Sequence, residues 1–148
     1  MPRIGKYWLN LDVYHAPFNP GHTWAKVEAD NTVKVGLDDF AQKQAGDLLF
    51  VRLFPVGKEV KQGQRFGTLE TAKWVGPLIA PVSGKIAQHN EEVVKKPKLA
   101  NEEPYGKGWL IIITPSNLKA DIDKLVKGDQ AVEWLKKDAK EIAKEEIA

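Results

Sequence analysis

The sequence predicts a mainly β domain, a sandwich or barrel, whose main helices lie at its C-terminal end. Two observations lead to this prediction. Short apolar segments separated by Gly and Pro fill most of the chain, which is the spacing of strands joined by turns. From Leu118 onward, apolar residues recur instead at helical spacing. A length of 148 residues with 43% hydrophobic residues fits one globular domain.

The first half of this domain is predicted to contain two strands around one short helix. Residues 32–37 alternate between apolar and polar types, as a half-buried strand does. Residues 48–54 form a nearly continuous apolar run, which predicts a strand buried on both faces. Between these segments, Asp38 or Asp39 can cap a helix, and Gly46 supplies a left-handed exit from it.

The second half is predicted to add strands and then two helices. Residues 56–70 form a ribbon that feeds a strand, and a further strand-turn-strand unit is centred on residues 81–86. Residues 91–108 are polar and contain two prolines, so we expect a partly helical connection there. Residues 109–114 return to the sheet. Two terminal helices, separated at Gly128, should cover that sheet.

Composition excludes several classes of function. There are 22 basic and 20 acidic side chains, interspersed and giving a net charge of +2, so neither nucleic acid nor a membrane is an expected partner. The chain has no Cys, so any redox chemistry must come from an attached group. Its longest apolar run, Trp109–Ile113, is far shorter than the roughly 18 residues of a membrane span. Because a secretory signal is also lacking, we expect a cytoplasmic protein.

Lys73 is the main candidate for a functional residue. It follows a predicted strand and precedes a Gly-Pro pair, so its ammonium group should project from a hairpin tip. Such a lysine is accessible to a modifying enzyme and is held by a rigid scaffold. From this pattern alone, a solvated surface lysine is the more ordinary interpretation.

Five segments carry a resemblance to a known family. They are residues 36–42 (GLDDFAQ), 46–53 (GDLLFVRL), 67–73 (GTLETAK), 81–86 (PVSGKI) and 101–110 (NEEPYGKGWL). In their order and spacing they are similar to the H protein of the glycine cleavage system. The resemblance covers roughly residues 22–135, which is nearly the whole domain.

The resemblance implies a lipoyl domain, which is a flattened barrel or sandwich of two antiparallel sheets. It also implies that Lys73 receives lipoate through an amide bond, so that a tethered dithiolane supplies the sulfur chemistry that the chain lacks. The protein would then be a monomeric, non-catalytic carrier with a swinging arm. We expect an N-terminal extension at residues 1–21, the lipoyl-binding domain at 22–116 and C-terminal helices at 117–148.

Three further positions match the family. Glu70 corresponds to the acidic residue that H proteins place before the modified lysine, which implies a role in recognition by the lipoate-attaching enzyme. The alternative is a strand-end charge paired with Lys85 or Arg65. Gly67 and Gly84 match family glycines, where a side chain would obstruct tight packing around the hairpins.

Two positions depart from the family. Trp74 stands where H proteins have a small residue; it would shield the arm or contribute to a docking surface, or else pack on Val75 and Ile79. Thr23 replaces the Glu of a His-Glu-Trp run. The resemblance implies that this position lines the cleft in which an aminomethylated arm rests, where Thr23 offers hydrogen bonds but no charge.

Other sites and classes of function are weaker. His15, His22 and His89 include no pair at one-turn helical spacing, so we expect no metal site and solvated or hydrogen-bonded imidazoles. A biotin carrier would resemble Met-Lys-Met at the modified turn, whereas Ala72 and Trp74 flank the lysine here. An unmodified binding module remains open. No base and nucleophile converge in a pattern typical of an independent enzyme.

The client system of the carrier has two alternatives. The resemblance implies glycine cleavage, with glycine decarboxylase, aminomethyltransferase and dihydrolipoyl dehydrogenase as partners. H-protein-like relatives also carry lipoate in sulfur-oxidising systems that resemble heterodisulfide reductase. Thr23, Trp74 and the unusual N-terminal segment are reasons to consider this second alternative, whereas the five matching segments favour glycine cleavage.

Overall fold

The computed structural model describes residues 1–145, so the last three residues of the expected helical region 117–148 lie outside it. The strands are β1 Arg3–Ile4, β2 Tyr7–Trp8, β3 Tyr14–His15, β4 Thr23–Val27, β5 Val33–Leu37, β6 Leu48–Leu53, β7 Glu59–Val60, β8 Arg65–Thr71, β9 Val75–Ile79, β10 Gly84–His89 and β11 Ile111–Pro115. The helices are α1 Asp39–Ala45, α2 Glu91–Lys95, α3 Leu99–Glu102, α4 Leu118–Ile122 and α5 Asp129–Glu141.

Two antiparallel sheets form the body of the protein. One has six strands in the order β3-β4-β5-β11-β10-β7, and the other has three in the order β6-β8-β9. A separate two-stranded ribbon, β1-β2, precedes them. The prediction of a mainly β protein with two antiparallel sheets and C-terminal helices is therefore confirmed. The sheets remain separate hydrogen-bonded units across the described chain, so a sandwich describes them better than one closed barrel.

The main hydrophobic core lies between the two sheets and is built from alternate residues of their strands. Its largest fully buried members include Phe66, Leu78, Ile86, Ile111 and Ile113. Alternation places every second side chain of a strand on the inner face, so each sheet contributes one apolar face. This packing fixes the strands that carry the functional hairpin.

Strand β6 corrects one expectation. Its continuous apolar run predicts burial on both faces, yet only Leu48 and Val51 are buried, while Leu49 and Phe50 are exposed. The reason is that the outer face of the three-stranded sheet is open: Phe50 pairs across it with Glu70, and Glu70 with Val75, and none of the three is buried. Strand β6 also carries a bulge between Leu48 and Phe50. One face of β6 therefore contacts the core, and the other faces solvent without a covering element.

The short helix α1 begins and ends as expected. The side chain of Asp38 accepts a hydrogen bond from the backbone N–H of Ala41, as an N-cap does. Gly46 ends the helix with φ +82°, a backbone conformation that favours glycine. Helices α2 and α3 confirm the partly helical connection between residues 91 and 108. No helix within residues 1–145 is long and apolar enough to cross a membrane.

A second, smaller hydrophobic cluster joins segments that are far apart in sequence. Its buried members come from the N-terminal segment, α1 and α5: Ile4, Tyr7, Leu9, Phe40, Ala131, Leu135 and Ala139. The three α5 residues recur every four positions and so form one apolar stripe. This second cluster holds α5 beside the β8–β9 hairpin.

Candidate functional site

Lys73 lies at the tip of the hairpin between β8 and β9. The three residues that link the strands, Ala72, Lys73 and Trp74, are all exposed. No ion pair involves the Lys73 ammonium in the described part of the chain. The side chain is therefore accessible at the position expected from the sequence.

Thr71 organises this tip, which the sequence pattern did not indicate. Its backbone N–H donates to the Trp74 carbonyl oxygen at 3.0 Å, closing the turn. Its hydroxyl oxygen accepts from the backbone N–H of Lys73 at 3.2 Å and of Trp74 at 3.4 Å. Thr71 is itself buried, so its hydroxyl fixes the backbone of the tip from beneath. The backbone of Lys73 is thus held in place, while its side chain extends into solvent.

Trp74 lies against the hairpin because residue 76 is a glycine. A Cβ atom at Gly76 would lie only 1.6 Å from Cζ3 of the Trp74 ring. The indole therefore occupies the space that any other residue would fill. Trp74 is 43% exposed and lines a neighbouring cleft.

A cleft of about 540 Å³ separates this hairpin from α5. Leu69, Trp74 and Pro77 line it from the hairpin, and Trp134 and Ile142 line it from the region of α5. Residues 17–22 and part of α1 complete the lining. Its volume lies within the roughly 300–1,000 Å³ of sites that hold small ligands.

His22 links the body of the protein to α5 at this cleft. We call His22 with its two carboxylate partners, Asp38 and Asp138, the clamp. Its ring stacks between Phe40 and Trp134, with centroids 4.5 Å away on each side. Nδ1 lies 2.6 Å from a carboxylate oxygen of Asp38, and Nε2 lies 2.7 Å from one of Asp138. Both ring nitrogens can donate at once only in the protonated imidazole. The clamp is therefore a buried cation held by two carboxylates.

The charges around the clamp determine its protonation. Burial alone lowers the pKa of His22, but the charges and hydrogen bonds of Asp38 and Asp138 outweigh burial and raise the pKa to about 9. The sequence predicted only a solvated or hydrogen-bonded imidazole for His22, and a helix cap for Asp38. Asp138 lies 116 residues from His22, so no local pattern could have linked them.

This clamp predicts a loss of stability at alkaline pH. The folded protein binds the His22 proton more tightly than the unfolded chain, so its contribution is complete below pH 6.5 and disappears as pH rises through about 9. We expect the free energy of unfolding to fall by about 3 kcal/mol between pH 6 and pH 10. Urea unfolding across this range measures the effect.

The control for this prediction is His22→Gln, which cannot titrate and should be less stable with a nearly flat profile. Burial lowers the pKa of the nearby His15 from 6.5, so its contribution has the opposite sign and ends at about pH 6.5, below the pH range in which His22 loses its proton. An equal slope in wild-type protein and in His22→Gln would contradict the assignment to His22.

Thr23 does not occupy the place expected from the resemblance. It is fully buried, and its hydroxyl donates a 2.7 Å hydrogen bond to the carbonyl oxygen of Ile79, which ties β4 to β9. Thr23 therefore lies outside the cleft, whereas its neighbour His22 lines it. His22 precedes β4 and has φ +66°, so the backbone conformation before the strand, which the motif does not specify, determines which side chain reaches the cleft.

Glu70, Gly67 and Gly84 lie where the sequence places them. Glu70 is partly exposed in β8 beside the tip, and within residues 1–145 it pairs with neither Lys85 nor Arg65. A Cβ atom at Gly67 would lie 2.4 Å from the Arg52 carbonyl oxygen. A Cβ atom at Gly84 would lie 2.1 Å from the Thr114 carbonyl oxygen. Both glycines therefore permit close approach of two backbones.

Each of the other two histidines lies within hydrogen-bonding distance of a backbone carbonyl oxygen. Nε2 of His15 lies 2.7 Å from the Asn10 carbonyl oxygen, and Nε2 of His89 lies 2.6 Å from that of Phe54. In the part of the chain that the structure covers, no group of three or more His, Asp or Glu side chains is arranged to hold a metal.

Comparison with known proteins gives consistent results. The sequence model of the family described as glycine cleavage H-protein matches residues 16–138. Glycine cleavage system H protein 2 of Aquifex aeolicus is 42% identical over 125 residues, which are 84% of this chain and 76% of that protein. A probable glycine cleavage system H protein of Pyrococcus abyssi is 40% identical over 136 residues, covering 92% of this chain and 98% of that protein.

A solved structure resembles the whole fold. The crystal structure of a glycine cleavage system H protein from Mycobacterium marinum superposes with a TM-score of 0.74 and 31% sequence identity. The match covers 88% of this chain and 99% of that one. Both the strand arrangement and the sequence motifs therefore point to the same group of proteins.

Proposed function

The chain belongs to the glycine cleavage H-protein family, a family of lipoyl carriers, and from this premise we propose that Lys73 carries its lipoyl group. The observation that supports this most directly is an exposed lysine, in no ion pair with residues 1–145, on a rigid hairpin tip at the family position. When bound, the dithiolane supplies redox and group-transfer sulfur chemistry, for which this cysteine-free chain has no side chain.

Attachment requires Lys73 to act as a nucleophile toward an activated lipoyl group. The neutral Nζ attacks the carbonyl carbon of a lipoyl mixed anhydride or thioester, and a C–N bond forms. The bond from that carbon to the donor oxygen or sulfur breaks, the donor leaves with the electron pair, and Nζ loses one proton. The amide product has no charge on the former ammonium. An exposed tip lets the enzyme surround Nζ during this step.

The cleft supports a second part of the proposal, which is that the arm rests there between partners. Apolar side chains of Leu69, Trp74 and Pro77 line its hairpin side, close to Lys73, and suit an aliphatic chain. A tethered group reaches a partner at an effective concentration far above its bulk value. The protein itself would be a non-catalytic, monomeric, cytoplasmic carrier.

Peptide mass spectrometry of protein made with lipoate and a competent ligase tests the attachment site. We expect the mass increase of one lipoyl amide on the peptide that contains Lys73 and on no other peptide. Modification at another lysine, or none when the ligase modifies a known lipoyl domain in parallel, would overturn the proposal.

The proposed client is glycine cleavage, with glycine decarboxylase, aminomethyltransferase and dihydrolipoyl dehydrogenase as partners. One observation favours the sulfur-oxidising alternative. An aminomethylated arm is cationic, yet both carboxylates of the clamp, Asp38 and Asp138, are already engaged by His22. Among the described lining residues, the remaining acid is Glu141. Because Glu141 is exposed to solvent, an ion pair with it would stabilise a bound cation only weakly.

A loading experiment separates the two clients. Lipoylated protein is mixed with glycine decarboxylase and glycine, and the mass of the Lys73 peptide is followed. If glycine cleavage is the client, we expect most of the arm to become aminomethylated, as on an H protein tested in parallel. Negligible loading beside efficient loading of that control would contradict the glycine cleavage client and favour the alternative.

A further inference from the structure

An exposed apolar surface adjoins the Lys73 tip. It consists of Leu49, Phe50 and Val75, which are 48%, 50% and 62% exposed, and we call it the tip patch. Large apolar side chains grouped beside one another on a surface indicate a binding site more often than isolated ones do. No described element covers the patch.

Strand register places Phe50 and Val75 on the same face of the sheet. Phe50 pairs with Glu70, and Glu70 pairs with Val75, so the three side chains form one row across the sheet. The next row, Val51, Leu69 and Gly76, is buried. The row of Phe50 and Val75 therefore points away from the core.

The position of the patch is unusual for a sheet edge. Strand β6 is an edge strand, and proteins normally protect such edges with charge, proline or a covering segment. Near Phe50 the protection is limited to Arg52, whose guanidinium lies 5.4 Å from the Phe50 ring centroid. The apolar part next to the tip stays open, which fits a surface that is covered only transiently.

We infer that the tip patch is the docking surface for the enzyme that acylates Lys73, an inference that rests on the proposed function. The reacting atom of that enzyme's substrate is Nζ, only one lysine side chain from the hairpin backbone. The enzyme must therefore contact the residues beside the tip. Client enzymes act on the sulfur atoms at the far end of the arm and need not approach this closely.

The charge of Glu70, within the row Phe50–Glu70–Val75, indicates what surface the docking enzyme should present. Glu70 lies between Phe50 and Val75, and no cation pairs with it in residues 1–145. A complementary surface presents apolar side chains to Phe50 and Val75 and a Lys or Arg to the carboxylate between them. The enzyme surface beside its acyl-donor site should have this pattern.

Matched valine substitutions test the docking surface. Val75→Ser removes an apolar side chain from the row, and Val56→Ser removes one of similar exposure, 57%, from the turn beyond the opposite end of β6. Initial rates of modification are measured with lipoate, ATP and a purified lipoate–protein ligase. We expect Val75→Ser and Phe50→Ser each to lower kcat/KM about tenfold, mainly through KM, and Val56→Ser to leave it unchanged. Trp74 is not substituted because it lines the cleft.

The outcomes distinguish this inference from the proposed function. Equal rates for Val75→Ser, Phe50→Ser and wild type, with modification at Lys73 intact, would overturn the docking surface alone. Absence of modification on wild-type Lys73 would overturn both.

Two other results would overturn the inference by assigning the patch to a different partner. Normal attachment combined with slower reduction of the loaded arm by dihydrolipoyl dehydrogenase would assign the patch to a client. A wild-type dimer in sedimentation that Phe50→Ser dissociates would assign it to a second copy. Thermal unfolding of each variant confirms that the fold is retained.

Discussion

Lys73→Arg is expected to abolish lipoyl attachment completely while leaving the fold unchanged. The side chain is exposed and makes no ion pair within the described residues, so its loss removes no packing. Arg keeps the positive charge, but its guanidinium stays protonated and offers no neutral amine to an acyl donor. Intact mass after incubation with ligase, lipoate and ATP measures the effect.

The matched control for this change is Lys58→Arg, another lysine in an exposed turn. It should be modified at the wild-type rate, and both variants should unfold within about 2 °C of wild type, since surface changes of this kind cost little. A lipoyl adduct on Lys73→Arg would show that a different lysine carries the arm. A large fall in the melting temperature of this variant would show instead that Lys73 supports the fold.

Gly84→Val is expected to have the largest effect on stability. A Cβ atom at this position would lie 2.1 Å from the Thr114 carbonyl oxygen and 2.9 Å from Cα of Pro115. Both atoms belong to the backbone of β11, so strands β10 and β11 must separate to make room. The glycine also has φ +155°, which branched residues rarely adopt. We expect a loss of at least about 4 kcal/mol, or failure to fold.

Two other glycines separate the causes of this loss. Gly63 has φ +87° with open space around its Cβ position, so Gly63→Ala tests backbone strain alone and should cost about 1–2 kcal/mol. Gly67 has no such φ but would place a Cβ 2.4 Å from the Arg52 carbonyl oxygen, so Gly67→Ala tests the contact alone. Urea unfolding compares the variants. A Gly84→Val protein as stable as Gly63→Ala would contradict the proximity of β10 and β11.

Local patterns predicted the parts of the structure that depend on neighbouring residues. The cap by Asp38, the exit at Gly46 and the hairpin around Lys73 each follow from residues within a few positions of one another. The expected burial of β6 on both faces was wrong because an apolar run has the same appearance whether its outer face is covered or open. Hydrophobicity alone does not reveal whether the outer face of a sheet is covered.

The candidate site was predicted only in part for a related reason. Lys73 could be identified because its motif is contiguous. The clamp could not, because His22 and Asp138 meet only after α5 has packed on the second cluster. Thr23 was expected in the cleft because the family motif includes its position, yet its hydroxyl bonds Ile79 and its neighbour faces the cleft. Side-chain direction depends on tertiary contacts that a motif does not contain.

The separation in sequence between the hairpin and α5 determines the order in which a nascent chain acquires the two walls of the cleft. Ribosomes add roughly 5–20 residues per second. The β8–β9 hairpin ends at Ile79, whereas α5, which supplies Trp134 and Asp138, begins at Asp129. For several seconds a nascent chain can thus expose its lysine before the opposite wall of the cleft has been synthesised. An arm attached during translation would remain in solvent until the final helix emerges and packs.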